Sequence, residues 1–198
     1  MALPAPLSRM AFVLAGGQST RMGADKASLD FRGQTLLDRA LSVTKEVCEK
    51  AAIVGDPAKF SKFGPVVADI FPGCGPLAGI HAALAHSDAE LNLMLAVDMP
   101  FASRQLLTFL FVVAEGHDTA VTVPRTSYGL QPLCAVYRHG FLSVAERALR
   151  AGNYKIDAAF AEVSIREIAA EELAAAGFSE RSFFNINTPQ ERIVASSQ

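Results

Sequence analysis

The chain has 198 residues, 51% of them apolar and 19% charged, which excludes a disordered chain and allows a sizeable buried core. A formal net charge of -2 excludes the basic footprint of a nucleic-acid-binding surface, so any bound nucleotide is expected to be a small molecule. No apolar run reaches signal-peptide or membrane-spanning length, and the expectation is a soluble, cytoplasmic protein.

In chain order, "AFVLA" (11–15) is a short apolar run stopped by Gly16 and Gly17, as expected of a buried strand. From Gln34 to Lys50 the residues Leu36, Leu37, Ala40, Leu41, Thr44, Val47 and Cys48 fall on one helical face. "AAIV" (51–54) and "PVVA" (65–68) read as strands, and Pro76 to His86 as a helix with proline in its first turn. "NLMLAV" (92–97) is a second strong apolar run, closed by Asp98, Met99 and Pro100. Ser103 is placed to cap a helix running to Ala114. "TAVTV" (119–123) and "PLCAVY" (132–137) read as further strands, the second followed by a helix through Arg150. The tail is helix-rich, with "FFNIN" (183–187) as a short strand and a helix opening at Thr188. This alternation predicts an α/β fold: one domain over residues 1–198, with 1–9 a flexible N-terminus, built on a mostly parallel, doubly wound sheet. Ligands of such sheets bind beyond the carboxyl ends of the strands. That rule selects the glycine loop after residue 15, the stretch 69–79, and Asp98.

"LAGGQSTRMGADK" (14–26) fits neither the Walker A spacing nor the dinucleotide GxGxxG spacing. Gly16, Gly17 and Gly23 free backbone N–H groups to face a ligand, and Arg21 and Lys26 add full charges; together they suit a triphosphate. A solvent-exposed turn with stray basic residues has the same spacing, and both readings stand on these residues alone. Asp98 at a strand end suits Mg²⁺, a hard cation that takes oxygen donors, and equally suits a cap on the following segment. Asp69 carries the same two readings. "PGCGPLAGI" (72–80) lets backbone approach a flat ligand, or is a plain strand-to-helix turn. His81, His86, His117 and His139 form no ligand pair. Cys48, Cys74 and Cys134 form no CxxC, so reduced thiols are expected and neither zinc nor a disulfide framework.

The loop "LAGGQSTRMGADK" resembles the LAGGxSxRMGxDK signature of small nucleotidyltransferases with the glycosyltransferase-A-like, Rossmann-related fold. With "GPLAGI", "AVDMP", "QPLCAVY" and "FFNINTPQE" in the same order along nearly the whole chain, the resemblance narrows to the molybdenum cofactor guanylyltransferases. It implies transfer of GMP from Mg-GTP to the terminal phosphate of molybdopterin cofactor, with release of pyrophosphate and formation of the guanine dinucleotide. It also implies protein partners for the product, in molybdenum insertion or among the molybdoenzymes. By the same resemblance Leu14, Ala15, Gly16 and Gly17 contact the nucleotide through the backbone, and Arg21 and Lys26 hold phosphates. Asp69 and Gly75 serve guanine binding, Asp98 ligates Mg²⁺, and Asn185 and Asn187 belong to the second-substrate site. One position departs: some family members carry an asparagine where this chain has Gly55, which leaves base selectivity open between GTP and CTP. Cytidylyl transfer to the same cofactor, sugar-phosphate nucleotidyl transfer and a non-catalytic nucleotide-binding module are the competing readings. Retention of Arg21, Lys26 and Asp98 argues against the last.

Overall fold

The first strand, β1 (Arg9–Leu14), is buried on both faces: Ala11 and Val13 enter one hydrophobic core, Phe12 the other. Two-sided burial is what a central strand of a covered parallel sheet requires. The computed structural model describes residues 7–16 and 26–186. After β1 come a small hairpin, β2 (Asp30–Phe31) and β3 (Gln34–Thr35), then α1 (Leu36–Lys45), β4 (Lys50–Val54), α2 (Pro57–Phe60) and β5 (Val66–Val67). Helix α3 (Pro76–His86), β6 (Leu91–Ala96), α4 (Arg104–Glu115), β7 (Val121–Thr126), β8 (Gly129–Leu130) and β9 (Cys134–Arg138) follow. The described chain closes through α5 (Phe141–Arg150), α6 (Ile156–Phe160), β10 (Ile165–Ile168) and α7 (Ala170–Ala175).

The sheet runs in the order β10-β7-β9-β6-β1-β4-β5, with β8 paired to the end of β7. Its strands are mutually parallel except β9, which lies antiparallel to both neighbours, and the short β8. Leu91, Leu93 and Leu95 of β6 point into the core shared with α1, α4 and α7, while Met94 points into the one shared with α3, α5 and α6. Helices on both faces make the sheet doubly wound, as the alternating pattern predicts. Helix α1 starts where Thr35 accepts a hydrogen bond from the Asp38 N–H at 3.1 Å, and α4 where Ser103 accepts from Leu106 at 3.2 Å. Such caps satisfy N–H groups that the first turn leaves without partners.

Three local expectations change. The helix read from Gln34 to Lys50 is shorter, because Gln34 and Thr35 pair with β2 and residues 46–48 turn away into β4. The β2–β3 hairpin and β10 escape the apolar pattern because they are short and half-polar, and β9, read as a strand from "PLCAVY", runs antiparallel. Residues 183–186 are not a strand: Phe183 closes a 3₁₀ turn (Glu180–Phe183), and residues 184–186 pair with no strand. Phe183 and Ile186 are both buried, and a spacing of three cannot keep two side chains on one face of a strand.

Gly55, just after β4, is required by its neighbour. A β-carbon there would sit 2.9 Å from two ring carbons of Phe60, itself buried in the core. The Phe60 ring thus fills the space that a side chain at position 55 would take, which is why asparagine is absent there. Gly55→Ala is expected to cost about 1–3 kcal/mol by overpacking, read as a lowered urea midpoint. Gly55→Ala combined with Phe60→Leu should recover part of that loss in the same titration.

Candidate active site

Four strand ends meet at the carboxyl edge of the sheet. The Val54 carbonyl accepts the N–H groups of both Ala15 (2.9 Å) and Gly16 (3.0 Å), pinning the start of the glycine loop to β4. The Leu14 carbonyl accepts from Val97 at 3.2 Å, tying β1 to the segment that carries Asp98, and the Val67 carbonyl accepts from Gly55 at 3.0 Å. Leu14 and Ala15 are half-buried and Gly16 is exposed, so the backbone expected to contact nucleotide is at the surface of the edge. Gly17, Arg21 and Asn187 lie outside the described residues.

Lys26, where the described chain resumes, opens a 3₁₀ turn whose Ala27 is buried. The turn is secured by Leu29 donating to the Lys26 carbonyl at 3.1 Å. Lys26 Nζ lies 2.9 Å from Asp98 Oδ2, and the two side chains are only 24% and 15% exposed, so this pair is partly shielded from solvent screening. It joins the far end of the glycine loop to the end of β6. Asp98 accepts at its own backbone carbonyl from the Ile186 N–H at 2.9 Å. Among the described residues its carboxylate takes no backbone N–H, so the capping reading gives way to the charged pairing.

No cluster of three or more His, Cys, Asp or Glu able to hold a metal is present among the described residues. Mg²⁺ is commonly bound by one or two carboxylates together with substrate phosphates rather than by an all-protein cage. Asp98 supplies a carboxylate of the right kind at the right edge.

Asp69 follows β5 at the same carboxyl edge. Its Oδ2 is 3.9 Å from where a β-carbon on Gly16 would be, and its Oδ1 is 3.9 Å from the same point on Gly79. Both distances are ordinary van der Waals contacts, so the carboxyl group packs closely beside these two glycines. Oδ1 is buried with no hydrogen-bond partner among the described residues, an acceptor left for a ligand's donor. Desolvation raises the Asp69 pKa above its ordinary value of 3.8. Gly75 opens α3 ahead of Pro76 at φ 76°, a left-handed conformation in which any other residue would be strained, with open space around it. Asn185 is exposed beside Ile186, so its segment does reach the Asp98 edge.

The start of β9 is a part of this edge that its apolar reading as a strand conceals. Leu133 accepts at its carbonyl from the Ala96 N–H at 2.7 Å, while the Gln131 amide donates to Thr126 Oγ1 (3.0 Å) and to the Gly129 carbonyl (3.2 Å). The polar Gln131 ahead of "PLCAVY" is the signal for it.

Because the folded chain keeps the Asp69 proton to higher pH than the unfolded chain, stability falls as pH rises from 3.8 through the folded value, and the penalty is fully present above it. Asp69→Asn removes this dependence. Urea titrations from acid to neutral pH should show the variant gaining on the parent as pH rises.

The arrangement has counterparts among known proteins. A family model described as the MobA-like NTP transferase domain matches residues 11–163. The probable molybdenum cofactor guanylyltransferase of Pelotomaculum thermopropionicum is 38% identical over 185 residues, covering 92% of this chain and 89% of that protein. The molybdenum cofactor guanylyltransferase of Desulfosudis oleivorans is 36% identical over 182 residues, covering 90% of each. The crystal structure of molybdopterin-guanine dinucleotide biosynthesis protein A from Archaeoglobus fulgidus superposes with a TM-score of 0.84 at 28% identity, over 96% of this chain and 97% of that one. A family match over most of the chain, relatives alike along nearly their whole lengths and a shared fold agree: the chain belongs to the molybdenum cofactor guanylyltransferases of the MobA-like NTP transferase family.

Proposed function

We propose that the protein transfers GMP from Mg-GTP to the terminal phosphate of molybdopterin cofactor, releasing pyrophosphate and forming the guanine dinucleotide. The observation that carries this reading is the pairing of Lys26 with Asp98 at 2.9 Å, at an edge whose other side presents the Ala15–Gly16 backbone and the unpartnered Asp69 oxygen. An oxygen of the acceptor phosphate attacks the α-phosphorus of GTP, a new P–O bond forms, and the α–β bridging P–O bond breaks with its electron pair leaving on pyrophosphate. Both reactants are anions, so the site's main task is screening. Lys26 exchanges Asp98 for the triphosphate and stabilises the charge that gathers near the α-phosphorus, and Arg21 adds a second cation. Mg²⁺, held by Asp98, neutralises phosphate charge when bound.

A phosphate nucleophile is already ionised at neutral pH, so no histidine base is required. In keeping with this, His81 is buried edge-on against Phe71, with ring centroids 5.1 Å apart. Asp69 accepts hydrogen bonds from the nucleotide, and Gly75 lets the α3 start approach the base. With Phe60 in the space of a residue-55 side chain, guanine recognition falls to Asp69 and backbone. Asn185 and Asn187 serve the second substrate. We further place the reaction in one domain spanning the chain, in the cytoplasm, with transfer of the product to a molybdenum-insertion or molybdoenzyme partner. No helix among the described residues is long and apolar enough to cross a membrane.

Pyrophosphate release from Mg-GTP with purified molybdopterin tests the reading, with Mg-CTP as control; release with CTP alone overturns it. Lys26→Ala is expected to lower kcat roughly 10²–10³-fold, the range found when a group stabilising transition-state charge is removed. Asp98→Ala should abolish turnover while the circular dichroism spectrum and urea midpoint show a folded protein. Full activity in that variant would remove Asp98 from the metal site.

A further inference from the structure

In-line displacement at phosphorus puts nucleophile and leaving group on opposite sides of the reacting atom, so a two-substrate site has two arms. The nucleotide arm, in the reading above, lies over β1, β4 and β5. Three residues beyond Asp98 in the chain, Phe101 begins the lining of a recess of about 490 Å³ that continues through Ser103, Gln105, Phe178, Arg181 and Ser182. Two hydrogen bonds hold its outer wall in place. Ile186 donates to the Asp98 carbonyl at 2.9 Å, and Glu180 Oε1 accepts from the Ser127 N–H at 2.8 Å, joining the wall to the turn between β7 and β8.

The recess has a fixed cation. The Arg181 guanidinium lies 4.4 Å over the Phe101 ring, and Phe101 packs edge-on against the buried Phe31 at 5.5 Å. Among the described residues no carboxylate pairs with Arg181, nor with Arg104, which lines an adjoining recess with Gln105 and Phe109. Arg32 and Arg39 likewise pair with no carboxylate among the described residues, whereas Arg9, Arg125, Arg147, Arg150 and Arg166 each pair with a glutamate. Two un-neutralised guanidiniums beside an aromatic floor and hydroxyl groups match an anion that carries a flat ring system.

We propose that this recess seats the acceptor, a pterin phosphomonoester, with Arg181 as its binding cation and Arg104 as a second, outer one. The proposal rests on the guanylyl-transfer reading. In-line attack requires that an acceptor seated there reach the α-phosphorus from the side opposite the departing pyrophosphate.

Two measurements test it. In pyrophosphate-release assays at saturating Mg-GTP, Arg181→Gln should raise the KM for molybdopterin roughly tenfold, Arg181→Glu further, and Arg181→Lys should recover part of the loss. The KM for GTP should stay within about twofold throughout, because the nucleotide arm is untouched. Ultrafiltration binding of molybdopterin to the nucleotide-free protein should weaken in the same order, with Arg104→Gln giving a smaller loss. Unchanged acceptor KM and binding in Arg181→Glu, or a rise shared equally by GTP, overturns the proposal. If the unsubstituted protein binds molybdopterin but releases no pyrophosphate from GTP, the guanylyl reading fails while the binding series still decides the recess.

Discussion

An ammonium and a carboxylate 2.9 Å apart, Lys26 and Asp98, are the interaction on which the site's geometry turns. Before substrates bind, each group keeps the other from being a bare charge in a partly desolvated place, where an unpaired ion is costly. The pair also sets the distance between the glycine loop and the end of β6. Both groups are thereby poised for new partners of the same charge type: the carboxylate exchanges one cation for another, the ammonium one anion for another. In the proposed reaction, a substrate that brings a divalent cation and phosphates together would satisfy both exchanges at once.

Around this pair the edge is shaped by what the chain omits. The Asp69 carboxyl group packs in ordinary contact distance of Gly16 and Gly79, and Gly55 yields its side-chain space to Phe60. The two contacts differ physically. The first leaves Asp69 Oδ1 unsatisfied, at a desolvation cost that ligand donors offset. The second packs a ring behind the loop's first turn and adds rigidity there. A phosphate site needs both, because backbone N–H groups stabilise charge best when they need not reorganise to do so.

Much of this was legible in the residues themselves. Runs such as "AFVLA" and "NLMLAV" announce buried central strands because two-sided burial leaves no polar position, and the strand-end rule then points to Gly16, Asp69 and Asp98 without a partner chain or ligand. What stayed hidden was pairing over distance. Nothing local in Lys26 indicates Asp98, and nothing in Gly55 indicates Phe60, since both contacts depend on tertiary packing. The stretch at 183–186 misled because alternating residue types resemble a strand, while burial of Phe183 and Ile186 follows the needs of the Asp98 edge. The capping and metal readings of Asp98 were equal by composition, and neither announces the Lys26 nitrogen 2.9 Å from its carboxylate.

The reversed direction of β9 has a consequence for how the family can vary. Its neighbours deliver their final residues to the reactive edge, but β9 delivers its first, since Cys134 pairs with Leu95 and Arg138 with Leu91 at the opposite end. The turn leading into β9 therefore borders the chemistry, and the turn leaving it sits at the back of the sheet. Lengthening the front turn would remodel the border of this edge, while the link behind β9, residues 139–140, leads directly into the buried Phe141 of α5. One strand laid backwards gives the fold a loop at the front without lengthening any of the strands that carry Gly16, Asp69 and Asp98 to the edge.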